Sequence, residues 1–140
     1  MRIIKKIFSK SRSLEDGIFF GAIEKILGFA PKNIDIYKKA FTHRSSNILD
    51  EVGNPLNYER LEFLGDAILD AIVADFLFKK FPYRDEGFLT QIRSRIVSRE
   101  TLSELGAKLN LDTFIQLSPD MKGFSPAILG NALEAFIGAV

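Results

Sequence analysis

Asn57-Tyr58-Glu59-Arg60-Leu61-Glu62-Phe63-Leu64-Gly65-Asp66-Ala67-Ile68-Leu69-Asp70 is the stretch on which the fold turns. Wound as a helix, its acids Glu59, Glu62, Asp66 and Asp70 share one stripe about 80° wide. The other directions, out to Phe78, are mostly apolar. A helix that is apolar all round is a buried helix, so the stripe is expected to line a seam of acid near a core. No Lys or Arg lies three or four residues from Glu62, Asp66 or Asp70. Glu62 with Asp66, and Asp66 with Asp70, are like-charge pairs that each cost a helix about 0.2–0.5 kcal/mol. Partial burial raises the cost further unless the charge is neutralised or paired. The ordinary reading of such pairs is a solvated acidic face, and the apolar surroundings argue against it. A cation is expected beside the stripe, and oxygen ligands suit Mg²⁺.

Helical spacing extends outward from this segment in both directions. Leu14 to Leu27 reads as a helix stopped by Gly28, with Pro31 beyond. Ile34 to Thr42 reads as a second, shorter one. Residues 43–56 form a polar loop around Gly53-Asn54-Pro55. The central helix is expected from about Leu56 to Lys80, ended by Pro82. Glu86 to Val97 and Thr101 to Leu109 follow, with Ser98 as an N-cap. Leu111 to Leu117 is short and irregular, and Ser118 to Ser125 is a loop. A last helix begins near Pro126, where proline suits the first turn. No segment alternates as a strand would, so the chain is expected to be all-α.

Composition narrows the chemistry. The chain has 140 residues, 46% of them hydrophobic, with 13 Phe, enough for one domain with a sizeable core. It has no Cys, which excludes disulfides and thiolate metal sites and fits a cytoplasmic home. One His, His43, excludes a multi-histidine zinc site within one chain. No long uncharged apolar run exists, so no membrane span is expected. Residues 1–12 carry five basic residues and no acid, while the remainder holds 14 basic and 18 acidic residues. Residues 1–13 read as a basic extension, a short arm beside an anionic partner rather than a presequence or membrane-surface helix. Residues 14–140 read as the domain.

The final helix repeats the pattern of the central one. Ala127, Asn131, Glu134 and Gly138 share a stripe about 60° wide, and the remaining positions are largely apolar. Gly138 on that stripe would let a neighbouring backbone approach closely. Two such helices facing each other would gather Glu62, Asp66, Asn131 and Glu134 as four oxygen donors around one point. Alone, Asn131 and Glu134 are weak evidence, because core helices often carry a satisfied Asn or Glu. The end at Gly138-Ala139-Val140 falls mid-pattern, as if the helix normally continued.

These residues resemble the endonuclease domain of the ribonuclease III family. The likeness is carried by Glu59-Arg60-Leu61-Glu62-Phe63-Leu64-Gly65-Asp66-Ala67. It extends through Ala40-Phe41-Thr42-His43-Arg44-Ser45, Glu86-Gly87-Phe88-Leu89-Thr90 and Ile128 to Val140. The resemblance implies an all-helical, dimeric bundle that cleaves double-stranded RNA in RNA processing. It implies Glu62 and Asp66 as metal ligands and Glu134 as the essential metal-binding carboxylate of the late helix, all three catalytic. Mg²⁺ would be the cofactor, with Mn²⁺ as a substitute. Glu59 and Glu86 match acidic positions near the cleavage valley, with roles in the dimer or in RNA handling. Phe63 matches an apolar side chain at the dimer contact, against the simpler reading of core packing.

One position departs from the pattern. Asn131 stands where the family usually has Asp. Asn keeps an oxygen that can ligate but removes a charge worth at most about 4 kcal/mol at about 4 Å and an effective dielectric of about 20. Weakened rather than abolished Mg²⁺ binding is expected. Family members normally also carry a further helix and a C-terminal double-stranded-RNA-binding domain, beyond the matched stretch.

A carboxylate-held Mg²⁺ can activate water against a phosphodiester, and the resemblance implies hydrolysis that leaves 5′-phosphate and 3′-hydroxyl ends. A two-fold dimer sets two equivalent sites across one duplex. His43 reads as a structural hydrogen-bonding residue more readily than as a general base. Arg93, Arg95 and Arg99 are candidates for RNA phosphate contact, against a plain solvated basic face. Two other functions compete: a non-catalytic double-stranded-RNA-binding or ribosome-associated module on the same fold, and a purely structural dimerisation domain. The three clustered acids count against both.

Overall fold

The computed structural model describes residues 14–121 and 124–140. The basic stretch 1–12 lies outside the described residues. The chain divides into two compact units, residues 1–32 and 33–140. The first contains α1 (Leu14–Leu27), with Glu15 and Asp16 in its first turn and Lys25 in its last, each at the favourable end of the helix dipole. It ends as the sequence indicates. Gly28 takes φ 76°, a left-handed conformation that glycine adopts without strain, and its N–H donates to the Glu24 carbonyl at 2.8 Å.

The second unit holds α2 (Ile34–Ala40), α3 (Glu59–Lys80), α4 (Glu86–Ile96), α5 (Arg99–Lys108) and α6 (Pro126–Ala139). Short 3₁₀ turns lie at Arg44–Ser46 and Leu111–Phe114. Among the described residues there is no strand, only isolated bridges between Thr42 and Gln116 and between Leu49 and Pro55. The fold is all-α. The helix starts are chemically marked: Asn33, Asp85 and Ser98 accept from the N–H groups of Asp35, Phe88 and Thr101.

Helix boundaries differ from the sequence expectation by one to three residues: α4 ends at Ile96 rather than Val97, α5 runs Arg99–Lys108 rather than Thr101 to Leu109, and α2 and α3 also shift, with causes visible in their hydrogen bonds. α2 stops at Ala40 because the N–H groups of Phe41 and Thr42 turn to the carbonyls of Lys38 and Lys39, three residues back. α3 starts at Glu59, not Leu56. The Leu56 N–H donates to Ile48 and the Tyr58 N–H to Thr42, so the preceding loop holds these residues.

The core forms where α6 packs against α3 and α5. Ile128, Leu129, Ala132, Leu133, Ala135, Phe136 and Ala139 of α6 are buried. Phe136 meets the rings of Tyr37 and Phe41 at 5.8 Å each, and Phe41 also meets Phe114 at 5.5 Å. Backbone contact sets the α3–α6 crossing. A Cβ on Gly65 would overlap the Glu134 carbonyl, and one on Gly138 would overlap the Leu61 carbonyl. The close approach expected at Gly138 is therefore present, and Gly65 provides its counterpart.

The expectation that α3 is buried on every side needs correction. Gly65, Val73 and Leu77 are buried, but Phe63, Leu64, Ile72, Phe76 and Phe78 are exposed. One chain has too few helices to cover a 22-residue helix on all faces. Phe63, at 80% exposure, is not a core residue of this chain.

Candidate metal centre

The α3–α6 crossing brings the two polar stripes together. Glu62 and Asp66 from α3 and Asn131 and Glu134 from α6 line one pocket of about 280 Å³. The carboxylates occupy its wall; among the described residues no three acids are drawn to a single preformed coordination point. Val97, Leu102 and Gly130 supply apolar lining, and Arg99 completes it. An adjoining concavity of about 390 Å³ is lined by Glu59, Glu62, Phe63, Asp66 and Glu134.

The electrostatics carry the mark of uncompensated negative charge. Burial first, then the charges of Asp66 and Glu62, push the Glu134 carboxyl up to about 7. Burial, then Glu59, raise Glu62, with Asp66 adding to the effect. Arg99 acts against both shifts. The donors are all oxygen, from carboxylates and one amide, with no thiolate in the chain. That set, carrying excess charge in a half-buried pocket, fits a hard divalent cation such as Mg²⁺.

Tyr58 contributes from the loop before α3. It is buried, with its ring edge-on to His43 at 5.6 Å. Burial raises its phenol, while a hydrogen bond from the Asn131 side chain opposes that rise.

The remaining sequence candidates fall in different places. Glu59 borders the adjoining concavity and pairs with Arg44 at 3.5 Å, a solvent-exposed contact worth at most about 1 kcal/mol. Glu86 starts α4, away from both concavities, and accepts from the Thr90 hydroxyl at 2.8 Å. Arg93 lines a separate groove of about 380 Å³ between α3 and α4. Arg95 is exposed, and its carbonyl accepts from the Thr101 hydroxyl. Of the three arginines, Arg99 alone lines the acid pocket. His43 Nδ1 accepts from the Ser45 N–H at 3.1 Å and lies 2.8 Å from the Ser45 hydroxyl, which accepts in turn from the Ser118 N–H. These bonds fit the structural role expected of it. Sequence reading missed two features: the Tyr58–Asn131 bond and the place of Arg99 among the acids. No spacing rule links positions so far apart.

Residues 33–140 match the family model described as ribonuclease-III-like. The chain belongs to the ribonuclease-III-like family. Its relatives in that family include the protein named Ribonuclease 3 of Flavobacterium psychrophilum, 56% identical over 140 residues. That of Zunongwangia profunda is 49% identical over 140 residues. Each alignment covers 100% of this chain and 57% of the relative, so the chain spans little more than half the length of these two proteins. A nuclease domain of ribonuclease III from Campylobacter jejuni superposes with a TM-score of 0.74 at 37% identity, covering 84% of this chain and 81% of that one. A Dicer from Pichia stipitis gives a TM-score of 0.56 at 31% identity, over 77% of this chain and 44% of the other. The acid pocket of this ribonuclease-III-like chain is thus built on a fold shared with nuclease domains.

Proposed function

We propose that the chain is the catalytic domain of a metal-dependent endoribonuclease that hydrolyses phosphodiesters of double-stranded RNA. The observation that carries this reading is the pocket where Glu62, Asp66 and Glu134 meet with Glu134 raised to about 7. Family membership and relatives named Ribonuclease 3 support it. In this reading Glu62, Asp66, Glu134 and the Asn131 oxygen hold Mg²⁺, for which Mn²⁺ can substitute. The bound ion would supply Lewis-acid stabilisation of the scissile phosphate and a nucleophilic water at neutral pH. The protein's own part is to gather these carboxylates and the Asn131 amide at the α3–α6 crossing, with Arg99 offsetting part of their mutual repulsion. Cleavage would leave 5′-phosphate and 3′-hydroxyl ends. Glu59, Phe63 and Glu86 would serve the dimer or the RNA valley, and Arg93, Arg95 and Arg99 the RNA phosphates.

The working unit in this reading is a homodimer with one site per strand. The Campylobacter nuclease domain has a region involved in dimer formation, and Phe63 offers an exposed apolar side chain beside the acid pocket. The alternative of a non-catalytic RNA-binding module draws on Asn131 alone, and a pocket of three retained acids counts against it.

The test is incubation of the chain with long double-stranded RNA and Mg²⁺, beside Glu134→Gln. The parent should produce short duplex fragments, and the variant should be slower by at least about 100-fold, as for loss of a principal electrostatic group. Equal rates for parent and variant, or no cleavage by a dimeric parent, would refute the reading.

A further inference from the structure

Arg99 is an unusual member of the acid pocket. It is the first residue of α5, after the Ser98 N-cap. A cation there meets the positive end of the helix dipole, an unfavourable position by helix standards. Its backbone is fixed: the Ser98 hydroxyl accepts from the Thr101 N–H at 3.2 Å, and the Arg99 carbonyl accepts from the Ser103 hydroxyl at 2.7 Å. Its guanidinium forms no ion pair within 4 Å among the described residues, yet the side chain lines the same pocket as Glu62, Asp66 and Glu134. Arginine keeps its charge at any working pH. Arg99 is itself exposed, so its charge reaches the carboxylates across a partly solvated pocket.

We propose that Arg99 is the resident counter-ion of the acid pocket, competing with the divalent cation for the same carboxylates and so raising the metal concentration the site requires. The inference rests on the metal-site reading above. With every acid ionised, three carboxylates and one guanidinium leave two net negative charges, the complement of one divalent ion. Asn131 acts in the same direction, because its amide brings no charge. Two features of this chain therefore weaken the pull on a metal without removing a ligand oxygen. A merely structural Arg99 would have the opposite consequence: its removal would loosen the α5–α6 packing beneath Asn131 and Glu134 and weaken metal binding.

The sign of one measurement separates these cases. Mg²⁺ is titrated calorimetrically into the parent chain, Arg99→Ala, Arg99→Lys and Asn131→Asp at one pH and ionic strength. Arg99→Ala should bind Mg²⁺ about tenfold more tightly than the parent, the size of about 1.4 kcal/mol. Asn131→Asp should tighten binding in the same direction, and Arg99→Lys should stay near the parent. Thermal unfolding with and without Mg²⁺ gives a second readout, in which the metal-induced rise in Tm should be larger for Arg99→Ala. Unchanged or weaker Mg²⁺ binding by Arg99→Ala overturns the proposal while leaving the metal site intact. Tightening by Arg99→Lys equal to that of Arg99→Ala overturns it too, because charge would not be the cause. Absence of saturable binding in the parent and every variant would bring down the metal-site reading itself.

Discussion

At the scale of single residues, Glu134 has the most to reveal. Its carboxyl is raised from 4.5 to about 7, chiefly by burial and then by Asp66 and Glu62. A raised carboxyl pKa means that ionisation works against the fold. Below about pH 4.5 the group is protonated in both folded and unfolded chains, and no penalty arises. The penalty grows as pH rises through the window from 4.5 to about 7 and is complete above it. At face value the shift is worth about 3 kcal/mol; for a half-exposed, solvent-screened group about 1–2 kcal/mol is realistic. In metal-free buffer, Glu134→Gln should therefore match the parent near pH 4.5 and exceed its stability by that amount above pH 7. Urea denaturation across this pH range checks it, and a constant gap at all pH values contradicts it. Added Mg²⁺ should reverse the order, because only the parent offers the full proposed ligand set. Protons compete with the metal at this carboxylate, so Mg²⁺ affinity should fall as pH drops below about 7.

At the scale of elements, the α3–α6 crossing makes the site possible. The acids meet because Gly65 and Gly138 let the two backbones touch. Gly65→Ala would force its methyl into the Glu134 carbonyl. The helices must separate, at a cost of about 3 kcal/mol, and that separation also pulls Glu134 away from Glu62. Gly17→Ala in α1 is the control. Its added Cβ meets nothing within 4 Å, so the helix should gain about 0.5–1 kcal/mol. One substitution, opposite signs in two helices, is read by chemical denaturation; two changes of the same sign would show that backbone contact does not govern the crossing. Much of this was legible beforehand. The stripes of α3 and α6, the Gly28 stop and the Ser98 cap all follow from local spacing and local chemistry. What spacing cannot encode is contact between distant segments. The start of α3 was misplaced because Ile48 and Thr42 capture the Leu56 and Tyr58 N–H groups. Arg99 was visible as a cation but not as a neighbour of Glu62, because the packing of α5 on α6 joins them.

At the scale of the whole molecule, the exposed side of α3 asks for a partner. Phe63, Leu64, Ala67, Ala71 and Phe78 recur at helical spacing on one side, and all are exposed. Sequence patterning alone could not separate a helix buried within one chain from one buried between two, since both are apolar all round. The structure removes the first option, because Phe63 is 80% exposed. A second copy of the chain is the occupant in the homodimer proposed above, and a standard interface needs about 800 Å² from each partner. Phe63 borders the concavity that also includes Glu59, Glu62, Asp66 and Glu134, so the contact and the chemistry would be adjacent. Burying a Phe side chain contributes about 1.5–3 kcal/mol in each copy, and two-fold symmetry counts it twice. Phe63→Asp replaces that gain with two buried like charges. Sedimentation velocity should show the parent as a dimer at micromolar concentration and Phe63→Asp as a monomer with unchanged helix content. Because the proposed ligands all come from one chain, the monomer should still bind Mg²⁺. It should lose double-strand cleavage, because a single site reaches one strand. A monomeric parent, or a variant that still dimerises, would move the interface away from this face of α3.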